Sequence, residues 1–203
     1  SLTSFSFDTA ILQRIPAQVL FVKIAERFKK LEHLRIERRQ SDDANLAALP
    51  MGTRLAAFPQ LLTLSVVGDF PAATFDALVR AALHAKLASC LERIEAPSML
   101  LELDALFACP CLRLVRVQEL QLSRNRRALP QMQMLITHNV INPELWRNVE
   151  APNLAVAAAP AADLLPLQGF ATAAPNVSML DLLDGDVGDL LTALNMFPML
   201  LPK

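Results

Sequence analysis

The sequence predicts an α/β solenoid, a fold built by stacking one short unit on the next. Three observations predict it. The first is a spacing in which apolar residues stand at the first, fourth and sixth positions of a short segment. It runs through Leu2, Phe5, Phe7; Leu31, Leu34, Ile36; Leu61, Leu64, Val66; and Leu91, Ile94, Ala96. It continues through Leu112, Val115, Val117; Met132, Leu135, Thr137; Leu154, Ala157, Ala159; and Val177, Leu180, Leu182, with a ninth copy opening at Leu200. The first residues of successive copies stand 29, 30, 30, 21, 20, 22 and 23 positions apart. Self-similarity at a period of roughly 20 to 30 residues marks a solenoid.

The second observation is proline in register. Pro59, Pro110, Pro130, Pro152, Pro175 and Pro198 each precede a first core position by two residues. One residue earlier stands Phe28, Phe58, Ala88, Cys109, Leu129, Ala151, Ala174 or Phe197, apolar in every copy. Proline cannot continue a helix and biases the residue before it away from one, so it closes the outer segment and admits an extended strand. The apolar residue ahead of it anchors that segment to the core. In a chain that is 53% hydrophobic, apolar coincidences are cheap, but six prolines in one frame are not.

The third observation lies in the outer segments. Residues 16–29 carry Val19, Leu20, Val22, Ile24, Ala25 and Phe28, and residues 71–86 carry Phe75, Leu78, Val79, Ala82 and Leu83. Each opens on a proline suited to a first helical turn, so both read as helices. Residues 45–58 read as a shorter, less regular helix. After Leu91 the intervals shorten and leave room for one or two turns at 101–108, 143–148 and 186–196. The wide early segments should bend the first half more tightly than the second.

The spacing resembles that of the leucine-rich repeat family, best in Phe58-Pro59-x-Leu61-x-x-Leu64-x-Val66, and the resemblance covers essentially the whole chain. It implies a curved solenoid with short parallel strands on the concave face and helices or irregular turns on the convex face. One position departs from the family. Eight residues after the first core residue, where the family carries Asn or Cys to bond the loop backbone, stand Ala10, Arg39, Asp69, Met99, Leu120, Val140, Ala162 and Gly185. Only Asp69 has a side chain for that task. The loops must satisfy their backbone groups in another way, and the chain is expected to be an irregular member.

In such a scaffold, function is expected on the concave strand face. Strand side chains alternate, so the third, fifth and seventh positions of each copy point outward. In the early copies these are Ser4, Ser6, Asp8; His33, Arg35, Glu37; Thr63, Ser65, Val67; and Arg93, Glu95, Pro97. In the late copies they are Leu114, Arg116, Gln118; Met134, Ile136, His138; Val156, Ala158, Pro160; and Met179, Asp181, Leu183. The early face is polar, with charges of both signs, and reads as solvated surface. The later residues Leu114, Met134, Ile136, Val156, Met179 and Leu183 form an apolar patch beside Arg116, His138 and Asp181. An apolar patch with a polar rim is a candidate partner-binding surface. A register slip of one residue would turn the same side chains into the core.

Other functions find little support. The formal charge is -1, so no global field favours nucleic acid or a membrane surface. Aromatic residues make up 5% of the chain, which gives no stacking platform for single-stranded nucleic acid. Two basic clusters occur, Lys29, Lys30, Arg35, Arg38 and Arg39, and Arg113, Arg116, Arg124, Arg126 and Arg127, the second facing only Glu119. The apolar tract 153–175 is interrupted by Pro160, Asp163 and Pro166 and is not a membrane span. His33, His84 and His138 lie far apart in the frame, and no nucleophile–base pair, phosphate loop or metal-spaced ligand set appears. No catalytic residue, metal or cofactor is expected.

Cys109-Pro110-Cys111 is too short for a zinc site. Cys90 and Cys111 fall at the same place in adjacent copies, within disulfide reach, but no signal peptide accompanies them and reduced thiols are the expectation. Ile15-Pro16-Ala17-Gln18-Val19-Leu20 with Ile24 resembles the opening of an F-box, yet the repeat helix already accounts for it. The expectation is therefore one domain over 1–203, a segment of a longer chain with flanking domains. It is read as a non-enzymatic, intracellular, cytoplasmic scaffold whose partner is another protein. The alternatives are a structural subunit of a larger assembly or the substrate-recognition part of an F-box-type ubiquitin-ligase adaptor.

Overall fold

A computed structural model describes residues 2–8, 10–11, 14–15, 17–37, 60–67, 91–164 and 168–197. Strand β1 (Ser4–Asp8) leads to helix α1 (Ala17–Arg27), followed by β2 (His33–Glu37), β3 (Thr63–Val67) and β4 (Arg93–Glu102). A 3-10 turn (Leu103–Ala108) leads to β5 (Leu114–Gln121), β6 (Arg127–Ala128) and β7 (Met134–Ile141). A second 3-10 turn (Pro143–Asn148) precedes β8 (Val149–Glu150) and β9 (Val156–Ala159). Helices α2 (Ala161–Leu164) and α3 (Gln168–Ala173), strand β10 (Met179–Leu182) and helix α4 (Val187–Met196) complete the described chain. The expected helices at 45–58 and 71–86 lie outside the described residues, as do Cys90 and His84.

The fold is α/β. Eight strands form one sheet in the order β1-β2-β3-β4-β5-β7-β9-β10, and β6 pairs with β8 in a small second sheet. Every pairing is parallel. Sheet order follows chain order, so each long strand is laid beside the one before it.

One register runs through the main sheet. Phe5, Leu34, Leu64, Ile94, Val115, Leu135, Ala157 and Leu180 are successive partners. These are the fourth positions of the eight sequence copies. At all seven junctions, one carbonyl accepts two amides from the next copy. Thr3 takes Glu32 and His33, and the pattern repeats down to Ala155, which takes Ser178 and Met179. The same bond at the same place means that stacking, rather than each local sequence, fixes where a strand starts.

The proline turns are equally regular. The amides of Leu31, Leu112, Met132, Leu154 and Val177 donate to the carbonyls of Phe28, Cys109, Leu129, Ala151 and Ala174, three residues back. In the last four of these turns proline holds the second place, where its fixed φ suits a type I or II turn. Cys109, Ala151 and Ala174 are buried at the head of that turn, as the anchoring role requires.

Burial follows the expected frame with one exception. The first, fourth and sixth positions are at most 7% exposed from Phe7 through Val177, and Phe5, Leu180 and Leu182 are half-buried against the same core. The exception is Leu2, expected in the core but 44% exposed. It lies at the outer edge of β1, where β2 covers one side only. Within α1, Leu20 and Ile24 are buried one turn apart with Phe28 packed below, while Val19 and Val22 face outward.

In the later connections Trp146, Phe170 and Phe197 stack edge to face, with centroids 4.8 and 5.7 Å apart. All three are at most 2% exposed. Burying an aromatic ring stabilises by about 1.5–3 kcal/mol, so this column ties three successive copies together.

The loop position that departs from the family pattern has a physical explanation in the late strands. β5 and β7 run on past their sixth core position, and Leu120 and Val140 lie inside the strands. They pair with each other in register and are 0% and 3% exposed. Where the strands continue they pair with each other, the Val140 amide donates to Asp163 Oδ2 at 2.8 Å, and an aliphatic side chain deepens the core. The ladder skips one pair between Val117↔Thr137 and Glu119↔Asn139. At that bend the buried Thr137 hydroxyl lies 3.2 Å from the carbonyl oxygen of Gln118 and 2.8 Å from that of Asn139.

Candidate functional site

The face of the main sheet opposite the core carries the residues expected to bind a partner. Three parallel rows cross it. The first runs Ser4, His33, Thr63, Arg93, Leu114, Met134, Val156, Met179. The second runs Ser6, Arg35, Ser65, Glu95, Arg116, Ile136, Ala158, Asp181. Beyond them lie Asp8, Glu37 and Val67, and on the late strands Gln118, His138 and Leu183.

None of the nine expected binding residues is buried. Leu114, Met134, Ile136 and Val156 are half-buried, Arg116, His138, Asp181 and Leu183 exposed, and Met179 is 62% exposed. The structure brings Leu114, Met134, Val156 and Met179 together as one row and Arg116, Ile136 and Asp181 as the next. His138 and Leu183 stand at the far edge of the face. Two residues expected to face outward are buried, Ser65 at 6% and Ala158 at 8%. Both are short side chains set in register between longer ones, Arg35 and Glu95 for the first, Ile136 and Asp181 for the second. The Ser65 hydroxyl has no hydrogen-bond partner among the described residues.

The charges on the two halves are handled differently. Arg35 is paired with Glu37 and Arg93 with Glu95, each within its own strand. The side chains of Arg116, His138 and Asp181 form no ion pair or hydrogen bond among the described residues. The early face is internally neutralised, whereas the late face keeps its charges available.

The arginine loop is corrected by the structure. Arg126 and Arg127 do not face Glu119 alone: Arg126 bonds Glu150, and Arg127 Nε lies 3.1 Å from Asp104 Oδ1. Asp104 also accepts from Ser123 Oγ at 2.8 Å and from Asn125 Nδ2 at 3.4 Å. These contacts join neighbouring copies, and Glu150 and Asp104 take up two of the loop's positive charges. Asn153 and Asn176 form similar links, their Nδ2 atoms donating to the carbonyls of Pro130 and Pro152 at 2.6 and 2.7 Å. Asp163 accepts from the Val140 amide at 2.8 Å. The signal for the asparagine pair was visible as Asn in the place just before the first core residue, twice, 23 residues apart.

Chemistry elsewhere is sparse. Cys109 is buried, and burial together with the neighbouring Cys111 pushes its thiol up to about 12. A thiol held neutral is a poor nucleophile and metal ligand. Among the described residues no group of three His, Cys, Asp or Glu side chains converges on a point that could hold a metal. A cleft of about 130 Å³ lies between the Cys109–Pro110 and Leu129–Pro130 turns, away from the strand face. No described helix is long and apolar enough to cross a membrane.

No protein-family model and no curated protein matches the chain. Among solved structures it is similar to the crystal structure of a Bacteroides fragilis protein, a structural-genomics target, at 15% identity and a TM-score of 0.44. The similarity covers 87% of this chain and about half, 50%, of that one.

Proposed function

We propose that this chain is a leucine-rich repeat solenoid that binds a partner protein through its concave strand face. The observation that carries the reading is the row Leu114, Met134, Val156 and Met179, apolar and in register on four adjacent strands, the first three half-buried and Met179 exposed. Strand position does not require apolar residues there, because the early strands carry Ser4, His33, Thr63 and Arg93 in the same row. An apolar surface that the fold does not need is explained by a partner that covers it. Arg116, His138 and Asp181 supply the polar rim that favours one orientation over others. The proposal includes an intracellular, cytoplasmic setting in which the thiols stay reduced, and no catalytic role.

Affinity capture with the wild-type chain and with Met134→Asp and Met179→Asp tests it. Both variants are expected to lose the captured protein while keeping the wild-type circular dichroism and melting temperature. A variant that unfolds would make its residue part of the core, and a variant that still captures the protein would remove the strand face from the interaction.

A second reading, a structural subunit of a larger assembly, draws on α4. Its Val187 and Leu191 are 75% and 58% exposed, one helical turn apart and off the strand face. Capture that survives both aspartate variants but fails in Leu191→Asp would select this reading. The F-box-type adaptor alternative uses the same concave face, with a ubiquitin-ligase substrate as the bound protein.

A further inference from the structure

The apolar region of the late face is bracketed by two opposite charges. Arg116 on β5 and Asp181 on β10 occupy the same row, joined in register through Ile136 and Ala158. Neither is neutralised within the described residues. Glu95, the acid in register beside Arg116, already holds Arg93 Nη2 at 3.1 Å. His138, the remaining titratable side chain of the late face, lies at its far edge. The surface between the two charges is apolar.

We propose that the occupant of this face is an amphipathic helix lying across the strands, acidic at the end that meets Arg116 and basic at the end that meets Asp181. The inference rests on the concave face being a docking surface. The repeat distance favours a helix over an extended segment. Neighbouring strands lie about 4.8 Å apart, so the residues of one row recur at about that interval and the two charges, three strands apart, stand about 14 Å from each other. A helix shows the same side roughly every 5.4 Å, close to that interval. An extended chain shows it roughly every 6.6–6.8 Å and falls out of step within two strands. About ten helical residues span the distance between the charges at about 1.5 Å each, with apolar residues at i, i+3, i+4 and i+7 meeting the rows. The alternation of charge gives the contact its register, since a like charge at either end would be repelled.

Three synthetic helical peptides with one apolar stripe test the proposal by fluorescence anisotropy. One has Glu at one end and Lys at the other, one has Glu at both, and one has Lys at both. The mixed peptide is expected to bind the wild-type chain about tenfold more tightly than either of the others, the scale of one desolvated charge pair. Arg116→Glu should move the preference to the Lys-ended peptide, and Asp181→Lys to the Glu-ended one. Equal binding of all three, no binding of any, or a preference that neither variant moves would overturn the proposal. If the peptides bind equally yet Met134→Asp abolishes binding, the docking face stands and only the charged ends fail. If Met134→Asp leaves peptide binding intact, the docking face itself fails.

Discussion

The early strands and the late strands of this chain share one backbone and differ in everything that faces outward. β1, β2 and β3 are each five residues long, stand about 30 residues apart in sequence, and carry serine, threonine and paired charges. β5, β7, β9 and β10 recur at shorter intervals and carry an apolar row and, beside it, a row that begins at Arg116 and ends at Asp181, neither side chain paired among the described residues. Yet the bifurcated hydrogen bond that starts each strand is the same at every junction. The frame is therefore indifferent to the outward chemistry. The junctions form alike whether the outward residue is Ser4 or Met134, so the hydrogen-bonded ladder does not require an apolar late face.

The strongest way to break the comparison is to show that the halves are not one core. Leu64→Ala and Leu154→Ala remove side chains that are each 1% exposed, one in each half. Each should cost about 2–5 kcal/mol, with a single shared unfolding transition in denaturant titration. Two separable transitions would mean that the halves fold independently. A smaller effect isolates the late half: Thr137→Val removes the hydroxyl at the strand bend and leaves the Gln118 carbonyl without that partner. A loss of about 1–3 kcal/mol is expected, with faster amide hydrogen exchange along β5 and β7 and none along β2. The smallest effect concerns the side-chain links of the last copies. Asn153→Ala and Asn176→Ala should each cost about 0.5–1.5 kcal/mol, read as a shift in midpoint at unchanged slope. No shift would mean that the turns hold themselves.

Much of this was legible in the sequence. The fourth and sixth positions of the spacing follow from strand alternation, the first is held at the end of the turn that precedes each strand, and the proline frame locates the turns because proline restricts its own residue and the one before. The outward rows followed from the same alternation. Leu120 and Val140 were read only as a missing asparagine ladder, since a strand that runs on past its expected end leaves no distinct local mark. The partners of Arg126 and Arg127 were missed for another reason. Glu150 and Asp104 lie 24 and 23 residues away and become neighbours only when the copies are stacked. Ser65 and Ala158 were expected outside because alternation gives direction but not exposure, which depends on the length of the side chains around them.

Trp146 gives the molecule a built-in reporter. It is the single tryptophan of a chain with no tyrosine, 2% exposed, and its ring lies against Phe170. Ultraviolet-excited emission above 300 nm therefore comes from one indole in the late half, in a dry environment that shifts it toward the blue. Its red shift on unfolding times the loosening of that half alone, while circular dichroism times the whole chain. A lag between the two signals would reveal which end of the sheet lets go first, without a label or a mutation.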